Sequence, residues 1–245
     1  MENLCSIFWV YTRLSQSRLT LPLMLSTGNQ PFGPLNLLTR PPVLIPRPET
    51  EHWVSRLAEE YRPTAQNPVS LLDLGTGSGC IPLLLCHLWP SGSINAHGVD
   101  ISPHALGLAK DNATLTSQKN TFTTSQASFL TDSFPDPATR SRAPFNIITS
   151  NPPYIPWNEY QQLPRSVLDH EDPKALFGGP DGLEFYRAIS RLVWLLKKGG
   201  MLALEVGHDQ AATVESLIRD TGRFRETEIW LDPWGKPRTV IAHMK

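Results

Sequence analysis

The stretch "LLDLGTGSGC", Leu71 to Cys80, decides how this chain folds. Its first half is an apolar run of strand length, and its second half alternates glycine with small residues. Gly75, Gly77 and Gly79 remove Cβ atoms where a backbone must turn tightly and come close to a ligand. "VSLLDLG", from Val69, reads as a buried strand. Residues 79–89 read as a helix, with Pro82 tolerated in the first turn. The unit is strand, glycine turn, helix.

Outward from this unit the alternation repeats. "INAHGVDIS" is a second strand, and Pro103 to about Thr114 a second helix. "TFTTSQASF" and "APFNIITS" are further strands. Gly182–Lys197 reads as a helix, Gly199–Val206 as a strand and His208–Asp220 as a helix. Two strands close the chain, near Phe224–Leu231 and Thr239–His243. Such alternation predicts an α/β fold, a parallel sheet with helices on both faces. The final pair predicts an antiparallel edge. Before the first strand, "RPPVLIPRPETE" (Arg40–Glu51) stiffens the backbone ahead of a helix running to about Tyr61. Pro48 suits its first turn, and Glu49 and Glu51 suit the positive end of its dipole. Residues 1–48 show no sustained period and are expected to be an N-terminal extension, with the main domain over 49–245. The extension reads as a transit peptide or as the remnant of a helical substrate-binding domain.

Composition narrows the function classes. A chain of 245 residues with 40% hydrophobic and 18% charged content can bury a sizeable core. A formal net charge of −1 argues against a surface that coats nucleic acid. Cys5, Cys80 and Cys86 are too few and too odd in number for a disulfide framework. Cys86-His87 has no second Cys/His pair at ligand spacing, so no metal site is expected. No apolar run approaches the ~20 residues needed to span a bilayer. The first thirty residues hold Arg13 and Arg18, several Ser and Thr and one acid, Glu2, a composition like that of an organelle transit peptide. A mitochondrial location follows from that reading, and a cytoplasmic one from its alternative.

The glycine spacing is G-x-G-x-G, tighter than the dinucleotide fingerprint, and no phosphate-loop motif is present. Asp73 stands just before the turn, where a carboxylate repels phosphate but can hold an ammonium group, directly or through water. Asp100 ends the next strand, 21 residues after Gly79, where an acid in a doubly wound fold takes ribose hydroxyls. The expected ligand is a nucleoside with a short cationic tail.

"ITSNPPYIP" (Ile148–Pro156) places an amide, two prolines and an aromatic ring directly after a strand. Proline cannot donate a ladder hydrogen bond, so the strand stops and a stiff turn displays Asn151 and Tyr154. A planar NH2 group attacks carbon poorly because its lone pair is delocalised. The Asn151 side-chain oxygen and the Pro152 carbonyl can accept its two N–H groups and aim the lone pair. The prolines hold these acceptors in place, so little ordering entropy is lost on binding. Tyr154 can flank the planar substrate or face a cationic donor. The chemistry needs no dedicated base.

Together, "DLGTGSG", "GVDIS" and "NPPY" resemble the class I S-adenosylmethionine-dependent methyltransferases. "LIPRPETE", "LPRSVLDHEDPKALFGGPDGLEFYR", "LEVGHDQ" and "DPWGKPR" narrow the resemblance to the release-factor glutamine methyltransferases, from about Gly28 to the C-terminus. The resemblance implies a Rossmann-like, mostly parallel seven-stranded sheet with an antiparallel edge strand. It implies S-adenosyl-L-methionine as cofactor, held by Asp73, Gly75, Thr76, Gly77, Gly79, Asp100, Ile101 and Asn151. The adenine contact is Ser128 or, by a shifted alignment, Asp132. Substrate-side residues are Phe32, Arg47, Glu49, Asn151, Pro152, Pro153 and Tyr154, with Asn151, Pro152 and Tyr154 catalytic. Plainer readings stand beside these: helix-start electrostatics for Arg47 and Glu49, and a hydrophobic contact for Phe32. The implied partner is the GGQ loop of a peptide-chain release factor. A monomer with no membrane or stable nucleic-acid partner is expected. Adenine-N6 methylation of a nucleic acid, and a silent binding subunit, are the alternatives. Two departures mark this chain: few residues precede the matching region, and Glu171-Asp172-Pro173 stands where relatives carry Glu-Pro.

Overall fold

The computed structural model describes residues 28–117, 119–168 and 170–245. The expected transit segment, residues 1–27, lies outside them. The first described element is a hairpin, β1 (Asn29–Phe32) and β2 (Leu35–Leu38), joined at Gly33-Pro34. Helix α1 spans Pro48–Glu60, with Pro48 at its start and Glu49 and Glu51 in its first turn. Then come β3 (Val69–Leu74), α2 (Cys80–Leu88), β4 (Ile94–Asp100), α3 (Pro103–Leu115), β5 (Thr121–Gln126) and β6 (Phe145–Ser150). After a long segment of short helical turns follow α4 (Glu184–Leu192), β7 (Leu196–Glu205), α5 (Ala211–Arg219), β8 (Phe224–Leu231) and β9 (Pro237–Met244).

Seven strands form one sheet in the order β5-β4-β3-β6-β7-β9-β8. β3 to β7 are mutually parallel, and β9 runs antiparallel to both of its neighbours. The antiparallel strand therefore sits one place in from the edge, threaded between β7 and β8. Successive side chains of the central strands fall on opposite faces, as pleating requires. Leu72, Leu74, Ile148, Leu202 and Leu204 pack with residues of α4 and α5 on one face. Leu71, Ile147, Met201 and Ala203 pack with residues of α1 and α2 on the other. Both faces are covered, which is why these strands read as continuous apolar runs.

Three expected boundaries move. The helix expected over Gly182–Lys197 ends at Leu192, a 3₁₀ turn follows, and β7 begins at Leu196. Leu195 and Leu196 are buried against the sheet rather than along a helix face, and their apolar character alone cannot tell the two apart. The "TFTTSQASF" strand ends at Gln126, and the chain then turns down past the strand ends. The hairpin over 29–38 had no signal because Pro31 interrupts a four-residue strand. Phe32, Leu35 and Leu37 of that hairpin pack in one cluster with Trp53, Leu57 and Leu84.

Candidate active site

The glycine turn works by division of labour. Gly75 (φ +72°) and Gly77 (φ +55°) line the larger cavity, and a Cβ at either would meet no protein atom within 4 Å. Gly79 (φ +79°) faces inward instead, where an added Cβ would lie 3.2 Å from Leu83 and 3.3 Å from Ala109. Thr76 is buried beneath the turn against Gly98, whose missing Cβ makes room for its hydroxyl. The Gly75 and Thr76 N–H groups both donate to the Val99 carbonyl, at 2.8 and 3.0 Å, which ties the turn to the next strand.

Asp100 sits where β4 ends. Its Oδ2 accepts the Gly77 N–H at 2.9 Å and its Oδ1 the Ser102 N–H at 2.9 Å. Each oxygen keeps a second lone pair. Burial raises its pKa above the usual carboxylate value, while those N–H bonds pull it back. Asp73 is fully buried, paired in register with Thr149 of β6. The Thr149 hydroxyl donates to Asp73 Oδ1 at 2.7 Å, and Oδ2 has no hydrogen-bond partner. Burial pushes the Asp73 carboxyl up to about 6.

The larger cavity has a volume of about 320 Å³. Gly75, Gly77, Asp100, Ile101, Ser128 and Phe129 are among its lining residues. Ser128 borders it, whereas Asp132 does not. The cavity opens between the C-terminal ends of β3, β4 and β6, the place where strand order reverses direction in a doubly wound sheet.

A smaller cavity of about 160 Å³ adjoins it, lined by Arg47, Asn151, Pro152, Pro153, Tyr154 and apolar neighbours. Asn151, Pro153, Leu44 and Ala175 border both, so Asn151 is the polar side chain at the junction. Its Nδ2 donates to Thr50 Oγ1 at 3.2 Å, and the Thr50 hydroxyl donates to Glu205 Oε2 at 2.6 Å. Trp53 Nε1 donates to the same Glu205 oxygen at 2.9 Å.

The expected substrate-side residues divide. Arg47 borders the smaller cavity and pairs both Glu171 oxygens through one terminal nitrogen, at 2.6 and 2.7 Å. Glu49 stands in the first turn of α1 and lines neither cavity. Phe32 is 1% exposed in the core under the hairpin, so it takes the hydrophobic-contact reading rather than the pocket one. Tyr154 packs against the core with its hydroxyl pKa raised by burial.

Sequence reading missed the shell that holds the turn. "ALFGGPDGL" and "LEVGHDQ" wrap "NPPY". An added Cβ at Gly178 would fall 2.7 Å from the Pro153 carbonyl, and one at Gly182 would fall 2.4 Å from the Tyr154 carbonyl. Gln210 Nε2 donates to that Tyr154 carbonyl at 2.9 Å, and its Oε1 accepts the Gly207 N–H at 3.2 Å. The signal was present as motifs, but no local pattern says that they meet. The resemblance in "PRPETE" already implies Thr50 near the cleft, but its bond to Glu205 was hidden, because 155 residues separate the two. Cys86 is a buried core thiol with its pKa raised to about 12. Among the described residues no group of His, Cys, Asp and Glu could hold a metal, and no helix is long and apolar enough to cross a membrane.

No protein-family model matches the chain. A release factor glutamine methyltransferase of Moorella thermoacetica is 37% identical over 225 residues, covering 91% of this chain and 75% of that one. That of Koribacter versatilis is 36% identical over 224 residues, covering 90% and 74%. Among solved structures, a methyltransferase from Pyrococcus furiosus matches with a TM-score of 0.59 at 16% identity, covering 86% of this chain and 89% of that one. At such identity the likeness concerns the fold, which is that of the class I methyltransferases.

Proposed function

This chain belongs to the release factor glutamine methyltransferases, and from that premise we propose how its two adjoining cavities work. The enzyme methylates the side-chain amide nitrogen of a release-factor glutamine. The observation that carries the mechanism is Asn151 at the junction of the cavities.

The larger cavity takes S-adenosylmethionine. Its residues fit that group: open glycine backbone and a carboxylate with spare lone pairs at a strand end, while Asp73 stands buried behind the wall. When bound, this cofactor supplies a methyl group on a sulfonium. Asp100, whose oxygens each keep a lone pair beyond the Gly77 and Ser102 bonds, would accept from the ribose hydroxyls. Asp73, buried behind the cavity wall, would supply negative charge that favours the amino group. Ser128 and Phe129, which line this cavity, would border the adenine.

The smaller cavity takes the glutamine side chain. Asn151 Oδ1 and the Pro152 carbonyl accept its two N–H groups and turn the nitrogen lone pair toward the larger cavity. Tyr154 flanks the planar amide. Arg47, held by Glu171, stands at the wall of this cavity. Rate comes from positioning two reactants, and the nitrogen loses its proton to water after transfer.

Mass spectrometry of a GGQ-containing release factor, incubated with the protein and S-adenosylmethionine, tests the reading. The loop glutamine gains one CH2, and an adenine oligonucleotide alongside gains none. Asn151→Ala folds and binds cofactor but transfers at least about 10²-fold more slowly, the scale of losing one well-placed polar contact at the reacting centre. Unchanged turnover removes Asn151 from the mechanism. A monomeric state and a mitochondrial location complete the proposal. The location rests on Arg13, Arg18 and the hydroxyl-rich leading segment, and a reporter fused to residues 1–27 that stays in the cytosol defeats it.

A further inference from the structure

An asparagine amide has two ends that a half-turn about its last bond exchanges, one accepting and one donating. With the oxygen toward the substrate, Asn151 accepts the glutamine N–H. With the NH2 there, two donors face one another and the nitrogen is not held. Nothing within Asn-Pro-Pro-Tyr decides between these orientations. Two groups distant in sequence do. Thr50, in the first turn of α1, lies 3.2 Å from Asn151 Nδ2, and Glu205, at the end of β7, lies 2.6 Å from the Thr50 hydroxyl. Both are 1% exposed, so water cannot substitute for either partner.

Burial raises the Glu205 pKa, and the Thr50 and Trp53 hydrogen bonds and the Arg238 charge oppose that rise; with Glu205 ionised, the protons in this chain have one consistent arrangement. The Trp53 indole N–H can only donate, and it donates to Glu205 Oε2. The ionised carboxylate can only accept, so it also takes the single Thr50 proton. The Thr50 oxygen is then left with lone pairs alone. It must receive a proton from Asn151, which commits the NH2 inward and the oxygen outward.

We propose that Thr50 and Glu205 are positioning residues which lock the Asn151 amide with its oxygen facing the substrate nitrogen. This rests on the role given to Asn151 above. It also gives two of the family-like motifs, "PRPETE" and "LEVGHDQ", a shared task behind Asn151.

The test compares wild type with Thr50→Val, which keeps the shape and removes the hydroxyl, and with Thr50→Ser, which restores it. Each is made with Asn151 intact and with Asn151→Ala. Thr50→Val lowers kcat about 10- to 100-fold with Asn151 intact, while KM for the release factor stays within about threefold and cofactor affinity within about twofold. Thr50→Ser recovers to within about threefold of wild type, and in the Asn151→Ala background Thr50→Val costs less than about twofold. A second pair covers a Thr50→Val protein that does not fold. Glu205→Gln can place its carbonyl oxygen where Oε2 accepts both donors and stays within about fivefold, whereas Glu205→Leu loses as much as Thr50→Val. The proposal is overturned by equal losses in both Asn151 backgrounds, by failure of serine to restore, or by Glu205→Gln losing as much as Glu205→Leu. NMR exchange of the Asn151 side-chain NH2 protons with water needs no turnover. They exchange at least about tenfold faster in Thr50→Val, and equal rates overturn the lock. Wild-type protein that methylates no loop glutamine defeats the substrate reading instead, and the exchange rates still decide the lock.

Discussion

Asp73 answers to two opposed demands. Its side chain is fully buried, and burial lifts its carboxyl from the ordinary 3.8 to about 6. A folded-state value above the unfolded one means that ionising Asp73 costs folding free energy. The cost is absent below about pH 4, sets in as pH rises from 3.8 to about 6, and reaches about 3 kcal/mol at neutral pH. Asp73→Asn therefore stabilises the cofactor-free protein at pH 7.5 relative to pH 4, by that same difference, and weakens cofactor binding. Urea titrations of both proteins at the two pH values check it, and a stabilisation independent of pH rejects burial as the cause.

At the scale of elements, the turn after β6 is held by two loops rather than by its own strand. Asn151-Pro152-Pro153-Tyr154 supplies the stiffness, but Gly178, Gly182 and Gln210 supply the seat. Gly182 carries a second constraint, since its φ of +73° is one that side-chain-bearing residues rarely adopt. Gly182→Ala drives a Cβ toward the Tyr154 carbonyl and the Gln210 amide, each 2.4 Å from it. The expected result is at least a tenfold fall in turnover, of the order that an ångström of displacement produces. Cofactor affinity is kept, because Gly75, Gly77 and Asp100 are untouched. Calorimetry beside a turnover assay separates the two. A parallel loss of binding would mean that this loop also shapes the larger cavity.

At the scale of the molecule, the hairpin at the start of the described chain is part of the core. Phe32 and Leu37 are buried against the packing of α1 and α2. Leu38 N–H donates to Asn112 Oδ1 at 2.7 Å, and Asn112 Nδ2 donates to the Ser78 carbonyl at 3.0 Å, so the hairpin is tied to the glycine turn. Phe32→Ala removes a fully buried ring and costs about 3–5 kcal/mol of stability by urea unfolding. The folded fraction still binds cofactor and glutamine substrate with unchanged affinity. A KM effect without loss of stability would return Phe32 to the pocket.

The sheet and the glycine turn beside its cavity were legible in the chain because each rests on short-range pattern. Apolar runs of strand length followed by helical periods dictate a doubly wound sheet. Three glycines with acids at Asp73 and Asp100 mark its ligand end. Stiff prolines beside Asn151 mark the turn after β6. What only the tertiary structure decided were relations between residues far apart in sequence. It threaded β9 between β7 and β8, buried Phe32, gave Ser128 rather than Asp132 the cavity wall, and joined Asn151 to Thr50 and Glu205. The physical reason is that a hydrogen bond or a packing contact acts over a few ångströms of space. Its partners here lie 101 and 155 residues apart, beyond any pattern that neighbouring residues can carry.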